Sequence, residues 1–110
     1  MPVSSVARQT QRPSADALPD YRTFETDEFL DKLAKLTAHD RDSIQEKLDD
    51  YAYPRLREQP HYGANIRKLR GYTTETWRYR IGRYRVFYSI DQEEQTVYIL
   101  TVEARKDAYR

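Results

Sequence analysis

The segment WRYRIGRYRVFY, Trp77–Tyr88, interleaves Arg78, Arg80, Arg83 and Arg85 with aromatic and aliphatic residues around Gly82. Arginine is the side chain best matched to phosphate, because its planar fork donates two parallel hydrogen bonds and stays charged at any working pH. Gly82-Arg83 fits a tight hairpin loop of the type II′ kind, with glycine at the first central position, where φ is positive. Such a turn sets Ile81 opposite Tyr84, Tyr79 opposite Val86 and Trp77 opposite Tyr88 on one face of the hairpin. The other face receives Arg80 directly opposite Arg85, and Arg78 opposite Phe87. Like charges directly across a strand pair repel, so this face calls either for an anion to join them or for free solvation. Phe87 among the arginines supplies a ring on which an unstacked base can lie. The combination suits single-stranded RNA or exposed nucleotides better than a duplex groove; the plainer alternative is a wet strand face that uses arginine for solubility.

The elements that must hold this hairpin are legible along the chain. Tyr21-Arg22-Thr23-Phe24 predicts a short strand. Thr26 or Asp27 can cap a helix whose apolar stripe is Phe29, Leu30, Leu33 and Leu36. Thr37–Asp40 interrupts that pattern. A second helix follows, with Ile44, Leu48, Tyr51 and Ala52 on its apolar side, ending near Pro54 or continuing to Arg57. After the loop Pro60–Gly63 come strands over 65–70, 75–81, 84–90 and 96–102, rich in Tyr, Val, Ile and Thr, with a polar turn at Asp91–Gln95. The order β-α-α-β-β-β-β predicts an α+β domain: a small, largely antiparallel sheet with a two-helix hairpin on one face.

Composition bounds the rest. The chain has 110 residues, 38% hydrophobic and 34% charged, enough for one domain with a modest core. There is no cysteine, so neither a disulfide framework nor a thiolate metal site is possible. No apolar run is long enough to span a membrane, and the first twenty residues lack the apolar core of a signal peptide; a cytoplasmic location is expected. Pro2, Pro13 and Pro19 fall in an N-terminal stretch, 1–20, without apolar periodicity, which predicts a disordered tail ahead of a domain over 21–110. The net charge of +1 conceals an asymmetry: Arg67–Arg85 has seven bases against Glu75 alone, whereas Asp27–Tyr51 has eight acids against four bases. Lys68 and Arg70 thus join the hairpin arginines in one basic region.

Three motifs together, KLRG (Lys68–Gly71), WRYRIGRYRVFY and a last strand running into ARKDAYR (Ala104–Arg110), resemble the RelE/ParE superfamily of type II toxins, and most closely its RelE branch of mRNA interferases. The resemblance runs from about Tyr21 to the C-terminus. It implies a toxin that cuts mRNA in the ribosomal A site and is silenced by a cognate antitoxin protein wrapped around it. It further implies that Arg78 and Arg80 match the basic pair before the hairpin, Arg85 the arginine after the turn, Arg105 the arginine after the last strand, and Tyr109 the tyrosine beyond it.

Metal-free RNA cleavage needs the 2′-hydroxyl deprotonated, the leaving oxygen protonated and the crowded phosphorane stabilised. Arg80, Arg85 and Arg105 are suited to the last task, and Arg78 to positioning the backbone. Proton transfer falls to Tyr109, if neighbouring positive charge lowers its pKa, with Lys106 in reserve; stacking on a base is an equal alternative for Tyr109. Arg83, Phe87, Lys68, Arg70 and Lys106 complete the expected RNA-binding set. Many relatives have histidine where this chain has Ala104, and the histidines present, His39 and His61, have no partner at relay or metal-ligand spacing. Asp91, Glu93 and Glu94 read as an ordinary hairpin turn, so no metal and no cofactor is expected. Two other functions remain open: a ParE-like poison of DNA gyrase on the same fold, and a non-catalytic protein that only binds its antitoxin.

Overall fold

A tight turn and an unbroken alternation of side chains define the centre of the molecule. The computed structural model describes residues 20–72 and 74–104. Within them β3 (Trp77–Ile81) and β4 (Tyr84–Asp91) form the hairpin, in the register read from the sequence: Trp77 against Tyr88, Tyr79 against Val86, Ile81 against Tyr84. Gly82 takes φ +57°, while Arg83 is not among the residues with positive φ, as a type II′ turn requires.

The described chain runs β1 (Arg22–Glu25), α1 (Asp27–Ala34), α2 (Ala38–Lys47), a π-helical turn (Leu48–Ala52), α3 (Tyr53–Glu58), β2 (Ile66–Lys68), β3, β4 and β5 (Thr96–Ala104). The sheet has five strands in the order β1-β5-β4-β3-β2. All neighbours are antiparallel except β1, which lies parallel to β5. The architecture is the α+β arrangement expected, with one face of the sheet covered by the helices. Phe29 and Leu33 of α1, and Ile44, Leu48, Ala52, Tyr53 and Leu56 of the second helical arm, close over Trp77, Tyr79, Ile81, Val86, Tyr88, Val97, Ile99 and Val102. The expected tail falls, but for its last residue, outside the described residues.

Two apolar positions, Leu30 and Tyr51, depart from expectation, and Phe24 turns to the open face. Leu30 is 45% exposed and so lies outside the α1 stripe, and Phe24 faces away from the helices, packing edge-on against Tyr98 on the open side of the sheet. Tyr51 is also exposed, and Tyr53 takes its place in the core. The π-helical turn is the cause. Its bonds reach one residue further than those of an α-helix, as in Tyr53 N–H donating to the Leu48 carbonyl, so Ala52 and Tyr53 come beneath Leu48 and Tyr51 turns outward. The wider turn immediately precedes Pro54, whose missing N–H and bulky ring would disrupt a regular helix, and the arm continues through Pro54 to Glu58. The buried Tyr53 hydroxyl donates to Glu25 Oε2 at 2.5 Å, and burial pushes its pKa well above the ordinary phenol value.

A second irregularity sits in β5. Phe87 pairs with Thr101 but Tyr88 pairs with Ile99, leaving Leu100 as an extra residue, a β-bulge. The bulge shifts the alternation: Val97 and Ile99 point to the helices before it, Val102 after it, and Thr101 turns to the open face. Thr26 fastens this point. Its backbone N–H donates to the Ile99 carbonyl, and its hydroxyl shares its one hydrogen between the Ile99 and Leu100 carbonyls, at 2.9 and 3.0 Å, while accepting from Phe29 N–H as the cap of α1.

Because one hydroxyl both caps α1 and holds the bulge, Thr26→Ala should cost about 2 kcal/mol, and Thr26→Ser should recover most of it. Guanidinium denaturation followed by the fluorescence of Trp77, the one tryptophan, measures both.

Candidate nucleic-acid interface

The face of the sheet turned away from the helices receives every second residue of β2, β3 and β4. Arg67 of β2 is directly opposite Arg78 of β3, and Arg80 of β3 is directly opposite Arg85 of β4. Four guanidinium groups therefore line up across three neighbouring strands. Among the described residues, Arg67, Arg80 and Arg85 have no carboxylate within ion-pair distance. Glu103 is paired with Arg85 in the strand register, yet no ion pair joins them. Arg80 also reaches the wall of a hollow of about 190 Å³ shared with Lys47, Tyr51 and Asn65, which brings a further cation from α2 toward the hairpin.

Arg85 is half-buried and lies over the ring of Phe87, 5.6 Å from its centroid. Its Nε–H is buried without a partner among the described residues, and so is the hydroxyl of Thr101, which stands directly opposite Phe87. An unmet buried polar atom costs about 1–3 kcal/mol. Two of them beside the same aromatic ring make this the most costly polar environment on the face.

Not all the expected basic residues face this way. Lys68 pairs with Trp77, on the helix side of the sheet, where its ammonium sits 2.8 Å from the Glu75 carboxylate and 5.8 Å from the indole centroid. The lysine holds the Glu75 carboxyl below the usual carboxylate range. Arg70 is exposed in the bend beyond β2. Arg83, at the hairpin tip, bends back toward α2 and approaches Asp40 Oδ2 at 3.4 Å, while the Tyr84 hydroxyl donates to the same oxygen at 2.6 Å. The Tyr84 hydrogen bond, aided by Arg83, lowers the Asp40 pKa, and that bond in turn raises the Tyr84 pKa. Asp40 thus ties the start of α2 to the tip carrying the arginines, a role with no signal in the sequence. Arg105, Lys106 and Tyr109 lie outside the described residues; Ala104 ends β5 opposite Tyr84.

Comparison with known proteins fits this geometry. The sequence pattern of the family described as ParE toxin of type II toxin–antitoxin system, parDE, matches residues 25–109. The chain belongs to the RelE/ParE superfamily of type II toxins. Among solved structures, the RelBE2 toxin–antitoxin complex of Mycobacterium tuberculosis is similar at 30% identity and TM-score 0.62, over 78% of this chain and 92% of that one. The intact RelBE complex of E. coli is similar at 25% identity and TM-score 0.57, over 78% and 98%. An archaeal RelE–RelB complex from Pyrococcus horikoshii shares the fold at 23% identity and TM-score 0.60, over 79% and 97%. A search of curated protein sequences returns no significant match. The complexes from M. tuberculosis and E. coli each pair the toxin with its antitoxin. None of the helices in the described residues is long and apolar enough to cross a membrane.

The Asp40 carboxylate gives the toxin a pH-dependent brace. Its folded pKa is depressed, so its stabilisation is complete above the ordinary aspartate value of about 3.9 and is lost as pH falls through the lower folded value. Asp40→Asn should therefore unfold at lower denaturant than wild type at neutral pH. The gap should close below about pH 4, as denaturation midpoints across an acid pH series would record; parallel curves would contradict the brace.

Proposed function

We propose that this toxin cleaves mRNA held by the ribosome, in the cytoplasm, and thereby arrests translation. The observation that carries the reading is the register of Arg80 against Arg85 on an open sheet face, with Arg78 and Phe87 beside them. That arrangement is costly in an empty protein and well suited to a chain of phosphates with exposed bases.

In this reading Arg80 and Arg85 stabilise the charge that builds on the phosphorane as the 2′-hydroxyl attacks, and Arg78 positions the backbone. Arg105 adds to that charge stabilisation, and Tyr109 transfers a proton or stacks on a base; both assignments rest on the resemblance of the ARKDAYR motif. Arg70, Arg83, Lys68 and Lys106 belong to the wider RNA-binding set, with Lys68 and Arg83 the least available because Glu75 and Asp40 already engage them. Arginine is a poor general base. A small enzyme with weak acid–base groups gains most when another body holds the reacting atoms in line, which favours the ribosome-bound message over free RNA.

A second reading, a poison of DNA gyrase, is favoured by the match to the ParE family pattern. Primer extension on an mRNA in a reconstituted translation mixture separates the two. Wild type should cut at ribosome-occupied codons, and Arg85→Ala should lose about 100-fold or more of that cutting. Loss of gyrase supercoiling with intact mRNA would select the gyrase reading. Intact mRNA together with normal supercoiling would leave only antitoxin binding.

A further inference from the structure

Thr101 is an unexpected residue for its position. It is 7% exposed, in the middle of a strand, and Val or Ile would fill the place without a polar atom to satisfy. Its hydroxyl nevertheless has no hydrogen-bond partner among the described residues. The residue directly across the strand pair is Phe87, the ring proposed to carry a base. Over that ring lies the Arg85 guanidinium, whose Nε–H is also buried and without a partner. Buried polar atoms are almost always paired in proteins, and two unpaired ones flanking a single aromatic ring imply a ligand that pairs them.

We propose that Phe87, Thr101 and Arg85 form a nucleobase subsite in which Thr101 is the specificity-determining residue. The inference rests on the RNA-directed reading above and goes beyond it. In the free toxin the Arg85 guanidinium occupies the face of Phe87. A single-stranded ribonucleotide takes that face with its base, and the guanidinium moves off the ring onto the adjoining phosphate, where Nε–H finds an acceptor. The exchange uncovers the Thr101 hydroxyl to the edge of the stacked base. A hydroxyl both donates and accepts, but its single hydrogen and fixed place make it favour one base edge over others. Stacking on Phe87 is indifferent to base identity, so discrimination at this position falls to Thr101. The β5 bulge makes this possible, since an unbroken alternation would have put Thr101 among the core residues with Val97 and Ile99.

The test is binding, with cleavage left aside. Fluorescein-labelled hexaribonucleotides of A, C, G and U are titrated with the full-length toxin, its Thr101→Val and Thr101→Ser variants and Arg85→Ala, and followed by anisotropy. Wild type should rank the four oligonucleotides. Thr101→Val should lose about 3- to 10-fold in affinity for the preferred one and flatten the ranking, Thr101→Ser should keep the ranking, and Arg85→Ala should weaken all four alike. Thr101→Val should also melt higher, by about 5 °C, because it removes an unpaired buried hydroxyl, which shows that lost binding is not lost folding. An unchanged ranking in Thr101→Val, a lower melting temperature for it, or a wild type that binds none of the four would overturn the subsite. A wild type that ranks the oligonucleotides yet leaves ribosome-bound mRNA intact supports the subsite and removes only the nuclease reading.

Discussion

Everything in this toxin depends on the register of one hairpin. Side chains alternate strictly along β3 and β4, so the turn at Gly82-Arg83 decides in one step which residues face the helices and which face outward. A slip of one residue would drive Arg78, Arg80 and Arg85 into the core and expose Trp77, Tyr79, Val86 and Tyr88. The aromatic core and the basic face are therefore two sides of one constraint. The helices hold the register by covering the apolar side, and that cover is what allows four guanidinium groups to line up on the other.

The helical side shows how irregular geometry protects regular packing. The π-helical turn ahead of Pro54 brings Tyr53 to the core and reaches Glu25 on β1, the edge strand. Thr26, one residue further on, reaches the bulge of β5. A short edge strand with little apolar surface is thus anchored at successive positions, and the one parallel pairing of the sheet is secured by side chains as well as by its ladder.

Much of this was legible in the chain because it rests on local signals. Glycine at a positive φ, strict alternation and the Thr26 cap are properties of a few neighbouring residues, and they gave the hairpin, its register and the start of α1; the Thr37 cap of α2 lay in a stretch read only as a break. The face of Tyr51 and Leu30 was not legible, because a change of helical pitch and the width of the sheet decide it. The turning of Lys68 toward Trp77 was implicit in its place one residue after Arg67, once β2 is paired with β3, but that pairing joins segments separated by a bend and has no local mark. Thr101 left a faint trace: Val97 and Ile99 keep a step of two and the next core residue, Val102, breaks it, which is the signature of a bulge. The Asp40 brace joins residues more than forty positions apart and left none.

The facing arginines have a consequence that reaches beyond the sheet. A face of mutually repelling charges and unmet polar atoms stores free energy that any well-fitting polyanion releases on binding. An antitoxin segment that presents carboxylates there, and an RNA that presents phosphates, would draw on the same reservoir. Neutralisation and substrate binding would then be competing routes to one more relaxed fold. On the RNA-directed reading, the empty face would be the least relaxed condition of the fold, and any fitting anion would ease it.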